Sequence, residues 1–467
     1  MNSINRPEQE AADFALDHPA LRPDPYAALR FRDFRLLLVG RFVSSLGEQM
    51  LTLAIGWELY ARTGNAFYLG LVGLVQIIPV FALSLPAGHW ADKYNRRAIT
   101  LGAEILYFGS AAAITFLTLR TSGTSTAEVC APDCGVLTLL SANDGTLGLI
   151  YLCLALIGVA RSLSNPASSS LLPQTCPPEV YSNAVTWNST SWQAASVLGP
   201  TLSGVMLAVF KSAGPVFVIS TLTSLIFAVL LVQLRLRPRA AIATTSGALE
   251  SLREGISFIR RTRIILAAIT LDMFAVLLGG ATALLPVYQK DILHVDEVGL
   301  GLLRVAPSVG ALLMSFLIAN RPPFQRAGRT LLLAVIGFGI ATIIFGLSQS
   351  FILSLLMLVV LGGLDNISVV IRSGLVLLRT PDEMRGRISA VNSIFIGTSN
   401  EFGAFESGTT ASLFGPVVSV VGGGIGTILV VLGVAFFWPE LRRLGTLVEM
   451  PQSDPVLPAA EPASIEL

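Results

Sequence analysis

Residues 67–118 read FYLGLVGLVQIIPVFALSLPAGHWADKYNRRAITLGAEILYFGSAAAITFLT, two apolar blocks separated by a turn that carries Asp92, Lys93, Arg96 and Arg97. Each block matches the roughly 20 mostly apolar residues that a helix needs to cross the hydrocarbon layer of a membrane. A turn this charged belongs in water, and a chain in lipid must satisfy its own backbone, so the stretch predicts a transmembrane helical hairpin. The pattern recurs along the chain. Apolar blocks at 36–60, 67–90, 98–118, 146–166, 183–208, 214–234, 264–288, 298–319, 330–349, 352–376, 388–411 and 414–438 predict twelve spans. They are too long and too uniformly apolar for the strands of a membrane barrel, which alternate over about ten residues. The fold class is therefore an all-α membrane protein. The short gaps at 349/352 and 411/414 predict tight helical hairpins.

Composition points the same way. Of 467 residues, 53% are hydrophobic and 13% charged, with a mean hydropathy of +0.69, whereas a soluble domain carries about 25% charged residues. The net charge of +1 and the lack of an aromatic-plus-basic stripe argue against a nucleic-acid partner. Residues 1–30 are polar and lack the apolar centre of a signal peptide, and Pro451–Leu467 reads as a disordered tail rich in Pro, Ala and Glu.

The basic residues set the orientation, because Lys and Arg accumulate on the cytoplasmic side. With the N-terminus inside, 23 of the 31 fall in cytoplasmic segments, four in outer loops (Arg62, Arg120, Lys211, Lys290) and four within spans (Arg41, Arg161, Arg304, Arg372). Both ends are then cytoplasmic, which an even number of spans requires, and the expected location is the inner membrane. The longest inner loop divides the chain. The organisation expected is a cytoplasmic tail (1–33), a six-helix half (34–234), a linker (235–263), a second six-helix half (264–440) and a tail (441–467). Within the linker, Leu249, Leu252, Ile256 and Ile259 share one helical face opposite Arg and Glu. That is the pattern of a helix lying on a membrane surface or of a solvated linker helix.

Three motifs carry a family resemblance. Gly88-His-Trp-Ala-Asp92-Lys93-Tyr-Asn95-Arg96-Arg97 resembles the signature loop G-x-x-x-D-[RK]-x-G-[RK]-[RK] of the major facilitator superfamily. Asn95 stands where Gly is usual, and Asn tolerates a left-handed backbone better than most residues. The resemblance implies a latch in which Gly88 permits close packing and Asp92, with Lys93, Arg96 and Arg97, locks one arrangement of the two halves. Ala195-Ser-Val-Leu-Gly199-Pro200-Thr-Leu-Ser203-Gly204 resembles the superfamily's exporter motif, with Gly199, Pro200 and Gly204 forming a closely packed, bent gating helix. Pro381-Asp-Glu-Met-Arg385-Gly-Arg387-Ile-Ser-Ala-Val-Asn-Ser393 is similar to the branch that includes enterobactin exporters and macrolide-efflux proteins. Arg161, late in the fourth span, resembles the fourth-helix arginine of drug–proton antiporters, and a snorkelling arginine is the plain alternative.

Ionisable groups at membrane depth are costly and mark pathways. Glu48 lies mid-span in the first block, Asp365 in the tenth, Glu401 in the eleventh with Glu406 beyond it, and Asp272 in the inner half of the seventh. A carboxylate in low dielectric holds its proton until water or a cation reaches it, so Glu48 is the first candidate for proton coupling. Arg41, seven residues earlier on the same face, is its expected partner. Asp365, Asp272 and Glu401 follow. The resemblance implies that spans one, four, seven and ten line the cavity. Trp57, Trp187, Trp192, Phe274 and Arg161 are candidates for that lining, and Tyr60 and Tyr288 for the interfacial belt. The alternative for the acids is helix–helix hydrogen bonding without titration.

Cys130 and Cys134 lie in the long outer loop, as a disulfide in an oxidising compartment or as free thiols. The three histidines, His18, His89 and His294, give no basis for a metal site. There is no G-x-x-x-x-G-K-[ST] nucleotide motif, no G-x-S-x-G elbow, and hence no cofactor and no enzyme chemistry expected. The reading is a monomeric secondary transporter, a proton-coupled exporter of a hydrophobic or amphipathic small molecule such as a drug-like compound or siderophore. An importer or lipid translocator on the same fold, or a transport-dead sensor, is the alternative.

Overall fold

The computed structural model describes residues 24–121, 145–236, 248–321, 324–381 and 384–445. Cys130, Cys134, most of the N-terminal tail and the C-terminal Pro451–Leu467 lie outside them, as do the surroundings of Gly88 and the side chains of Asp92, Lys93 and Arg385. Thirteen long helices follow one another: α1 (Arg32–Thr63), α2 (Ala66–Lys93), α3 (Arg96–Thr121), α4 (Thr146–Ser169), α5 (Tyr181–Phe210), α6 (Gly214–Gln233), α7 (Ala248–Arg261), α8 (Arg263–Leu278), α9 (Glu297–Ala319), α10 (Ala327–Leu347), α11 (Phe351–Arg379), α12 (Arg385–Phe414) and α13 (Pro416–Phe437). All but α7 correspond to the twelve predicted spans. Ten are long and apolar enough to cross a membrane. The other two, α1 and α12, are 32 and 30 residues long. Their apolar character is interrupted by Arg41, Glu48 and Gln49 in α1 and by Asn392, Asn400, Glu401 and Glu406 in α12.

Local chemistry explains the tight turns. Gly64 ends α1 in the left-handed region at φ 62°, and the Asn65 carboxamide oxygen then caps α2 by accepting from the Phe67 N–H at 2.9 Å. Asn95 caps α3, accepting from the N–H groups of Arg97 (3.0 Å) and Ala98 (3.3 Å). It is absent from the described residues with positive φ, so its value is as a cap and not as the expected left-handed turn residue. Gly415 at φ 90° links α12 directly to Pro416 at the start of α13, the predicted tight hairpin. The seventh span departs from one continuous helix. After α8 the chain passes Gly279–Gly280 into a 3-10 turn (Ala281–Leu284) and a π-helical turn (Tyr288–Ile292). A Cβ on Gly280 would overlap the Gly403 carbonyl of α12, so the break lets two backbones touch.

Two compact units emerge. The first comprises Met1–Tyr68, Leu74–Ala248 and Val295–Val305, and the second Leu69–Gly73, Leu249–His294 and Ala306–Leu467. In the first, α1 packs on α5 and α6, and α3 on α4 and α6. In the second, α10 packs on α11 and α13, and α8 on α12 and α13. Small residues also let α9 and α11 of the second unit approach closely, since lipid supplies no hydrophobic drive between helices. A Cβ on Gly310 would strike the Val359 carbonyl, and one on Gly362 the Pro307 carbonyl. Helix α7 does not behave as a surface-bound helix at its described apolar positions. Ile259 is buried in the core of the second unit with Ile256 packed beside it, and Glu254 pairs with Arg387.

Candidate transport site: charge clusters at membrane depth

Helix α1 presents Arg41, Ser45, Glu48, Gln49 and Thr52 at helical spacing, a polar stripe running through its middle. Glu48 meets Arg161 of α4, with Oε1 2.6 Å from Nε, and Arg161 Nη1 donates to Gln76 Oε1 of α2 at 2.9 Å. Glu48 therefore pairs with Arg161 and not with the expected Arg41. Seven residues at about 1.5 Å rise separate Arg41 from Glu48 by roughly 10 Å along one helix, whereas packing brings α4 alongside. Arg161 is a charge partner and no snorkelling residue. Close by, Glu104 of α3 is 6% exposed. Its carboxylate accepts from the hydroxyls of Ser44 (3.3 Å), Ser164 (3.4 Å) and Ser224 (3.4 Å). Glu48 and Glu104 are near enough to repel each other; Arg161 pairs with Glu48, and Glu104 is held by the three serines. Sequence reading missed Glu104 and Gln76. The signal for Glu104 was an acid inside the third apolar block.

The second unit holds its own charges. Asp272 of α8 pairs with Arg372 of α11, and both side chains are below one-tenth exposed. Asp272, expected near the cavity, makes this buried bridge. Asp365, two turns before Arg372, makes no hydrogen bond or ion pair among the described residues. It lines a void of about 10 Å³ together with Asp272, Phe338 and Ser368. Glu401 lies over Gly73, where a Cβ would come within 3.3 Å of its carboxylate. Glu406 accepts from Thr410 of its own helix at 2.9 Å.

The motif residues occupy defined places. Gly199 admits α1, since a Cβ there would meet Gln49 and the Leu46 carbonyl, and Gly204 sits against Gly301. Ser203 Oγ donates to the Met50 carbonyl at 3.1 Å. Arg97 donates to the carbonyls of Leu234, at 3.0 Å, and Val232, and Arg96 to that of Ser170 at 3.5 Å. These basic residues thus cap the ends of α6 and α4. The aromatics divide. Trp192 is 55% exposed and lines a cavity with Arg41. Trp187 is engaged elsewhere, its Nε1 donating to the Pro25 carbonyl at 2.9 Å to hold the N-terminal segment. Phe274 is partly exposed and Trp57 half-buried. Tyr288 is no belt residue: it is fully buried, stacks on Phe345 and donates to the Gly346 carbonyl at 3.0 Å. Tyr60 is buried as well.

Among the described residues, ten helices long and apolar enough to cross a membrane make this a multi-pass membrane protein. The chain belongs to the Major Facilitator Superfamily, whose sequence profile matches residues 37–404, a family of transporters and not enzymes. It is 24% identical over 423 residues to the enterobactin exporter EntS of Citrobacter koseri, covering 91% of this chain and 96% of that one. It is 24% identical over 410 residues to the enterobactin exporter EntS of Shigella flexneri, covering 88% and 92%. In structure it resembles a bacterial homologue of the iron transporter ferroportin in an inward-facing state (TM-score 0.65, 17% identity, 88% of this chain and 99% of the other). It also resembles a bacterial homologue of the human lysosomal transporter Spinster (TM-score 0.64, 14% identity, 89% and 97%). An internal repeat is visible in the charges. In each unit an acid on the first span (Glu48, Asp272) faces an arginine in the final ten residues of the fourth (Arg161, Arg372), as expected of a fold built from repeated halves.

Proposed function

We propose that this transporter is a proton-coupled exporter of an amphipathic organic compound. Its two six-helix halves, 34–234 and 264–440, alternate access around a central site. It works as a monomer in the inner membrane with both termini in the cytoplasm. The Glu48–Arg161 pair, with Glu104 beside it, carries this reading. Protonation of Glu48 removes the charge that holds Arg161, so that the guanidinium keeps its Gln76 bond and can turn to a second anion. Loss of the proton restores the bridge. One site thereby couples a proton to a rearrangement of α1 against α4. Asp365, an acid without a hydrogen-bond or ion-pair partner among the described residues, is the second candidate carrier. The enterobactin exporters among the relatives and the small-residue packing of α5 favour export.

The test is transport by the purified full chain in liposomes. A panel of amphipathic fluorescent compounds is expected to accumulate on the acidified side and to lose that accumulation on addition of an uncoupler. Accumulation that ignores the uncoupler, or flow only down the compound's own gradient, would overturn the coupling. For the latch, Asp92→Asn is expected to slow turnover several-fold while leaving compound binding unchanged. Equal turnover would remove the latch.

A further inference from the structure

Arg41 differs from the other membrane-depth arginines whose partners have been described. Arg161 and Arg372 are each neutralised by an acid. Arg41 has no acid within ion-pair distance and no hydrogen-bond partner among the described residues. It opens instead onto a cavity of about 360 Å³ lined by Ser45 of α1 and by Asn188, Ser189, Ser191, Trp192 and Gln193 of α5. That volume falls in the range of small-molecule sites, about 300–1,000 Å³. An uncompensated guanidinium at membrane depth is costly, and the lining supplies only neutral hydroxyls and amides. The missing element is a negative charge.

We propose that this cavity is the subsite for the charged group of the cargo, and that the cargo is an organic anion bearing an aromatic ring. The inference rests on the exporter reading and narrows its substrate class. The guanidinium fork matches a carboxylate, phenolate or sulfonate, and the Ser, Asn and Gln groups complete its hydrogen bonds. The half-exposed Trp192 indole offers a face on which an arene stacks. Lipophilic cations are selected against, because Arg41 repels them and the described lining holds no acid to receive them.

The experiment compares two probes with the same arene, anionic 1-anilinonaphthalene-8-sulfonate and neutral N-phenyl-1-naphthylamine. Saturable binding is measured on the full chain in phosphatidylcholine nanodiscs without a proton gradient. Arg41→Gln is expected to weaken the sulfonate about tenfold, as loss of a charge-assisted contact does, and to leave the neutral probe within twofold. Arg41→Lys keeps most of the sulfonate affinity, and Trp192→Ala weakens both probes. Equal losses for both probes in Arg41→Gln, no loss for either, or no saturable sulfonate binding by the wild type would overturn the inference. Abolition of sulfonate binding on replacing the lipid with phosphatidylglycerol would also overturn it, by assigning the site to a lipid headgroup. Because binding is read without a gradient, the two readings fail separately. Intact uphill transport with Arg41-independent binding sinks only this inference, and Arg41-dependent binding without uphill transport sinks only the exporter.

Discussion

Glu48→Gln is expected to abolish uphill transport while leaving downhill exchange of the same compound largely intact. Glutamine reproduces the shape and hydrogen bonding of a protonated glutamate but binds no proton at working pH, so the Arg161 bridge cannot re-form as a charge pair. The carrier still visits its conformations, but no proton is exchanged between them. The reading is therefore a ratio: accumulation driven by a pH gradient falls at least tenfold, while counterflow of labelled compound stays within about threefold of wild type. Arg161→Ala tests the same site from the other side. It leaves Glu48 without its cation, beside the like-charged Glu104, and is expected to depress both modes. Wild-type accumulation in Glu48→Gln would end the assignment of this pair to coupling, and Asp365→Asn would then be the variant to compare.

Asp272→Ala is expected to be the most damaging substitution for folding. Removing the carboxylate strands Arg372, whose side chain is only 5% exposed, without a counter-charge. Breaking a buried pair from one side costs about 3–5 kcal/mol, a large fraction of the stability of most folds. Yield of folded protein in detergent and its thermal midpoint should fall sharply. The double variant Asp272→Leu/Arg372→Met, which removes both charges and keeps apolar volume, is expected to recover most of both. If the single variant is as stable as wild type, the bridge is no structural element. If the double variant recovers stability but loses transport, the bridge also serves the transport cycle.

How much of this was legible beforehand can be judged from particular residues. The hairpin at 67–118 was readable because a run of apolar residues interrupted by Asp92, Lys93, Arg96 and Arg97 has few physical outcomes in a membrane. The weakest spans to read were α1 and α12, where Glu48, Gln49, Asn400 and Glu401 dilute the apolar signal. Those same residues make the two helices functionally interesting. The candidate acids were legible by depth, but their partners were not. Arg41 was chosen for Glu48 because it lay nearby on one helix, and Arg161 takes that place from 113 positions away. Asp272 was read by its depth without a partner, and Arg372, likewise noted only for its depth, is the other end of its bridge. Glu104 was passed over because a single acid in an apolar run says nothing about the three serines that surround it.

By itself the sequence determined that this chain lives in lipid, where its long helices fall, and which residues resist being there. Those properties depend on composition and spacing along one chain, which the cost of burying polar groups in hydrocarbon makes almost compulsory. Only the tertiary structure decided which charge meets which, that Trp187 holds the N-terminal segment, and that Arg41 faces a cavity with no acid among its described lining residues. Such pairings arise from contacts between helices far apart in sequence, and the spacing of residues within any one helix does not encode them.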